Sequence, residues 1–341
     1  MLEDVFAPKK GERVLFLVDL PHDEIKDNDE WRARRHMADE WLGDFGTMAE
    51  NVEFMVDKIE FPATGKNNAK VPEEIIEEAR KSNLVIAMTE YSATAPLGGV
   101  CDEDGSITRC ASMPGVAKGM EETALRADYK KVKQYALALT DMLNNSVGAE
   151  ISFSTGDSLY LDLRGRVAEA DTGECTQAGQ CINFPAGESF KVPYEAVEEE
   201  IEEYGSSKSA GIMPVDYNGD LVKFVIENNR IVDVKGEGPK AGEMKAFFAQ
   251  NDSRRNLAEL GLGCNPKAVV SGNVLEDEKV GLHIAYGLSE HLGGKVDSDL
   301  HEDIVYAKGC PVEGETLILL DKDGNKTDLI LNSEMRYDLL V

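Results

Sequence analysis

The sequence predicts an α/β protein: an N-terminal parallel-sheet domain over residues 1–148 of Rossmann-like or flavodoxin-like type, then a mixed α/β domain over 149–341 carrying a metal site. Three observations predict it. In the first half, short apolar runs alternate with longer helical segments, the pattern of strands joined by crossover helices. Past Gly148 the texture changes to closely spaced, alternating runs of the kind antiparallel strands show. Three of the five histidines fall within residues 283–301, beside carboxylates.

The elements follow in order. Residues 13–19 are apolar enough for a buried strand. A helix is expected from about Asp29 to Glu50, with Trp31, Met37, Trp41 and Met48 among its apolar positions, then a strand over Val52–Val56. Pro72 suits the opening of a helix from Glu73 to Lys81, with acids in its first turn. Asn83–Met88 reads as a third strand and Cys110–Gly115 as another ending in a turn. Gly98-Gly99-Val100 is too isolated for a phosphate loop, so no nucleotide is assigned. A helix from about Asp128 to Leu143 carries Val132, Tyr135, Ala136, Leu139, Met142 and Leu143 at core spacing.

In the second half, residues 150–169 are β-rich. Glu195–Glu203 reads as a solvated acidic helix face. Leu221–Ile226 and Arg230–Val234 pair as a hairpin around Asn228-Asn229. Lys240–Gln250 is helical, and Glu315–Leu320 with Thr327–Leu331 forms a second hairpin.

Composition narrows the function. Lys and Arg total 36 against 64 Asp and Glu, a net charge of −28. Such a field repels a phosphate backbone, so no nucleic-acid partner is expected, and it attracts cations, metals included. No apolar run approaches membrane-spanning length, and the opening residues lack a basic segment followed by an apolar one. A cytoplasmic protein with reduced thiols is the expectation. The six cysteines contain no CxxC; a bond between Cys175 and Cys181, the closest pair, stays open.

His301-x-Asp303 leads into Ile304-Val305-Tyr306-Ala307, read as a strand, where residues two apart project to one side. An imidazole and a carboxylate would then point together, with His283 as a third donor. Two His and one Asp can hold zinc, manganese, cobalt or iron(II); the alternative is a polar surface turn. Glu188 stands at a strand start after Pro185-Ala186-Gly187. Glu259 lies inside an otherwise apolar or small segment and needs a partner, either a metal or a cation such as Arg254 or Arg255.

Phe184-Pro185-Ala186-Gly187-Glu188, Asn256-Leu257-Ala258-Glu259, His283-Ile284-Ala285-Tyr286-Gly287 and His301-x-Asp303 stand in the order found in the thermophilic metalloaminopeptidases (aminopeptidase T and aminopeptidase S). The chain resembles that family from about 180 to 305, more faintly at Ser112–Gly115. The resemblance implies two clustered divalent ions (zinc, cobalt or manganese) held by Glu188, Glu259, His283, His301 and Asp303. It also implies a homodimer, and hydrolysis of a peptide or small amide by a metal-activated water, with Glu188, Glu278 or Glu290 moving the proton.

The chain departs from the family pattern twice. The family's catalytic Tyr, seven residues after the His, is Glu290 here, and Asp-Glu-Asn before that His appears as Asp277-Glu278-Lys279. Tyr286 offers a hydroxyl elsewhere, though core packing suits it better. Glu278 reads as a general base, as an orienter of His283, or as a surface acid. The dihydroxypyridine ring-cleaving dioxygenases resemble relatives of the same fold. That similarity implies one iron(II) on His283, His301 and Asp303, a reading that does not need Glu188 or Glu259. A metal-stabilised binding protein without chemistry is the third reading.

Overall fold

In the first of two compact units, β-branched and aromatic residues alternate on the strand Arg13–Leu20, and its two faces are covered by different helices. Leu15 and Leu17 pack with Ile75, Ile76 and Ala79 of the helix Glu73–Arg80 and with Leu97 and Val100 of Thr94–Cys101. On the opposite face Phe16 meets Phe45 of the helix Asp29–Val52, their ring centroids 5.4 Å apart. Burial on both sides is what a parallel sheet requires. The strands run in the order Met55–Pro62, Arg13–Leu20, Leu84–Met88, Arg109–Ser112, Cys181–Asn183, all parallel. This is the flavodoxin-like 2-1-3-4 order. The structure, a computed structural model, describes residues 2–22 and 24–341. The unit comprises the chain up to Lys133 with Asp171–Ala186 and Pro266–Val269.

The second unit comprises Gln134–Ala170, Gly187–Asn265 and Val270–Val341. An eight-stranded antiparallel sheet includes both expected hairpins, as Asp220–Glu227 with Arg230–Lys235 and Gly314–Asp321 with Lys326–Leu331. A second antiparallel sheet places His301–Val305, Leu282–Gly287, Leu257–Gly263 and Glu188–Lys191 side by side in that order. One core cluster joins the two sheets: Phe153, Leu161 and Phe224 from the first, and Leu260, Leu262, Ile284 and Tyr286 from the second. Period-two alternation then forces Glu259, Gly261, His283 and Ala285 onto the other face of that sheet. Tyr286 is a core residue.

Three expected elements shift. The helix begun at Asp29 runs on to Val52, where Glu53 takes φ 64° and its N–H closes the last turn on Ala49 O, so the strand starts only at Met55. The strand placed at Ile304–Ala307 is His301–Val305, and it contains the His-x-Asp pair. The helix Glu198–Tyr204 buries nothing, as a solvated acidic face should, but Glu195 just before it is buried. Gly98 and Gly99 lie inside the helix Thr94–Cys101, and no disulfide joins any of the six cysteines, Cys175 and Cys181 included. Among the described residues no helix is long and apolar enough to cross a membrane.

Candidate metal centre

Antiparallel register brings the donors together. His301 and Asp303 sit opposite Gly287 and Ala285, and His283 sits opposite Gly261. Glu188 stands at the start of its strand, opposite Gly263. Small residues therefore floor the face on which five ligand-type side chains stand. At Gly261 the fit is exacting: a Cβ there would fall 1.8 Å from His283 Nε2. The imidazole occupies the space a side chain would need. A slip in register between Leu257 and Glu259 turns the Glu259 carboxylate onto this face.

The donor atoms form a chain of short approaches. Glu188 Oε2 is 3.4 Å from His283 Nε2, which is 3.4 Å from Glu259 Oε1. Glu259 Oε2 is 3.1 Å from His301 Nε2, and that nitrogen is 3.5 Å from Asp303 Oδ1. Among the described residues, Glu259, His301 and Asp303 are the three whose ligand atoms all lie within 4.8 Å of one another. His301 Nδ1 sits 2.7 Å from Leu288 O. A carbonyl can only accept, so Nδ1 carries the hydrogen and Nε2 is turned to the cluster, the arrangement metal-binding histidines use. His283 Nδ1 makes the same kind of approach to Gly281 O at 3.3 Å.

The electrostatics of the cluster suit a cation. Burial opposes charge on His283, but its hydrogen bond to Glu259 and the charges of Glu188, Glu259 and Asp303 outweigh this and raise its pKa to about 10. Burial likewise opposes charge on His301, and bonds to Asp303 and Glu259 raise it to about 11. Glu259 moves the other way: against its burial, the two imidazoles push its pKa far down. The cluster collects positive charge, and a divalent ion would compete with the imidazole protons for the same carboxylates. Glu188 Oε2 is buried without a hydrogen-bond partner. That orphaned carboxylate oxygen and the imidazole nitrogens turned inward fit a bound metal ion.

The remaining candidates fall in different places. Glu278 is at the cluster's edge, where burial lifts its pKa to about 8, and its Oε1 accepts from Lys279 Nζ at 2.7 Å. Glu290 is exposed on the short turn Glu290–Leu292. Arg254, one of the two cations considered for Glu259, instead pairs with Asp299 at 2.6 Å.

Sequence reasoning missed three participants. Lys279 is wholly buried and bonded to two carboxylates. The ring of His291 stands edge-on to that of His301, with centroids 5.0 Å apart. Glu195 accepts from Arg166 Nη2 (2.9 Å), Asn256 Nδ2 (3.0 Å), Lys295 N (2.7 Å) and the Ser289 hydroxyl. It thereby holds the loop whose Leu288 carbonyl orients His301. The one available signal was a lysine following two acids just before His283.

Neither a protein-family model nor a curated protein sequence matches the chain. The resemblance to metalloaminopeptidases thus rests on the motif residues alone. Among solved structures, the chain is similar to a 2,5-dihydroxypyridine dioxygenase from Pseudomonas putida. The TM-score is 0.64 at 14% identity, over 95% of this chain and 91% of that one. A two-domain α/β fold is shared.

Proposed function

We propose that this protein is a metal-dependent enzyme holding one divalent ion, iron(II), on Glu259, His301 and Asp303, with His283 beside them, and that it oxidatively opens a small hydroxylated aromatic ring. The observation that carries the reading is the convergence of those three donors. Carboxylate and imidazole oxygens and nitrogens without thiolate suit iron(II) and manganese(II). The structurally similar protein is named as a dioxygenase acting on 2,5-dihydroxypyridine, which favours iron and an aromatic substrate.

The ion, when bound, would supply Lewis acidity and redox chemistry toward dioxygen. The chain's own groups do the rest. Leu288 O fixes the His301 ring so that Nε2 stays aimed inward. Glu278, with its pKa near 8, can hold or release a proton at Oε1 or Oε2 near neutrality. The exposed ring of His291 stands edge-on against that of His301.

A second reading, a two-metal hydrolase acting on a peptide or small amide, is favoured by one observation: Glu188 Oε2 is orphaned beside His283. Elemental analysis of protein purified without oxygen separates the two, together with oxygen uptake on dihydroxylated pyridines and benzenes. One iron and ring-dependent uptake are expected, both lost in His301→Ala. Two zinc, cobalt or manganese ions with amide hydrolysis would overturn the oxygenase. Full activity of His301→Ala would overturn the site itself.

A further inference from the structure

The five ligand-type side chains are followed on one side by a cation the chain supplies itself. Lys279 is completely buried, and its Nζ lies 2.5 Å from Glu188 Oε1 and 2.7 Å from Glu278 Oε1. The placement is rigid. Lys279 O accepts from Asn265 N at 3.0 Å, and Gly281 O accepts from Gly263 N at 2.8 Å, which ties this turn to the end of the strand Leu257–Gly263. The turn lies so close that a Cβ on Gly263 would meet Glu278 O at 2.2 Å.

Resting on the reading of this cluster as a metal centre, we propose that Lys279 is the residue that sets its stoichiometry: the ammonium is the resident second cation, and the cluster accepts one divalent ion rather than two. Glu188 is the carboxylate a second ion would need, because its free oxygen faces His283. Its other oxygen is already committed to Lys279. The set that closes to within 4.8 Å, Glu259 with His301 and Asp303, is the one that leaves Glu188 out. Charge points the same way. A second divalent ion would have to enter beside a fixed ammonium in a buried site, where like charges repel strongly. Lys279 is therefore a positioning residue that acts through Glu188.

The test is Mn(II) binding to the intact chain, read by metal content and by electron paramagnetic resonance. The wild type is expected to bind one Mn(II) per chain with the six-line signal of an isolated ion. Lys279→Asn is expected to bind two, with the broadened signal of a coupled pair. Lys279→Arg, which keeps the cation, should remain at one. Two coupled ions in the wild type would overturn the role of Lys279 while leaving the metal centre intact. No ion in the wild type would overturn the metal centre itself. One ion in a folded Lys279→Asn would overturn the control by Lys279. If Lys279→Asn does not fold, Lys279→Met paired with Glu188→Gln removes both charges and is expected to retain one isolated ion; loss of that ion would count against the proposal.

Discussion

At the scale of the residue, the site depends on what is missing at position 261. With a Cβ placed 1.8 Å from His283 Nε2, no side chain larger than hydrogen coexists with the ring as it stands. Gly261→Ala must turn the imidazole away from Glu259 or push the two strands apart. Misplacing a supporting contact of a metal ligand costs roughly 10–100-fold in affinity. A loss of that size is expected for Gly261→Ala in a Mn(II) or iron(II) titration, with the far-ultraviolet circular dichroism unchanged. Unaltered affinity would show that His283 takes no part in holding the ion. The same scale explains why Lys279 escaped notice in the sequence. In a chain where acids outnumber bases by 64 to 36, a lysine after two acids looks like surface charge. Its two partners, Glu188 and Glu278, lie 91 residues apart and one apart.

At the scale of the element, the strand Glu188–Lys191 joins the site to the core. Glu188 faces the donors, and Lys191 points the other way, where its Nζ donates to Leu143 O at 2.8 Å and Ser146 O at 3.2 Å. The Leu143 carbonyl lies in the last turn of the helix Tyr129–Asn144, where positive charge is favoured by the helix dipole, and Ser146 opens the strand after it. Burial nonetheless lowers the Lys191 pKa to about 8 from its ordinary 10.5. The sign follows directly. Between these values the unfolded chain holds a proton that the folded chain has released, so stability rises with pH across the window and is lowest below it. The gain is on the order of 3 kcal/mol if the whole shift is realised. Urea denaturation from pH 7.5 to 10.5 should show this rise in the wild type relative to Lys191→Met, which has no group to titrate. Parallel curves for the two proteins would mean that Lys191 is as charged inside as outside.

At the scale of the whole molecule, 64 acids against 36 bases leave at least 28 acids with no basic partner to pair with. Their mutual repulsion loads the folded state and is screened once the Debye length falls from about 30 Å at 0.01 M salt to about 8 Å at 0.15 M. The melting temperature is expected to climb by several degrees over that range in KCl, measured by calorimetry with chelator present. Potassium has little affinity for the donor cluster, so the rise reports the field and not the site. A falling melting temperature would show that the surface ion pairs, such as Arg254–Asp299 and Lys308–Glu334, outweigh the repulsion.

Much was legible in the sequence because it is local. Apolar periodicity marks the strand Arg13–Leu20, the helices Asp29–Val52 and Tyr129–Asn144 and both hairpins, since each depends on neighbours a few residues away. His301-x-Asp303 announces two donors on one side of a strand for the same reason. What the sequence could not specify is register across strands that are far apart in the chain. That register sets Gly261 beneath His283, brings Glu259 within 3.1 Å of His301 and buries Glu195 among Arg166, Asn256 and Ser289. It also decides that Lys279, and not solvent, meets Glu188. The residue types of the proposed metal centre were written in the chain. Which of them close on one ion, and which are held by an ammonium, depends on distances of a few ångströms that only the assembled sheet defines.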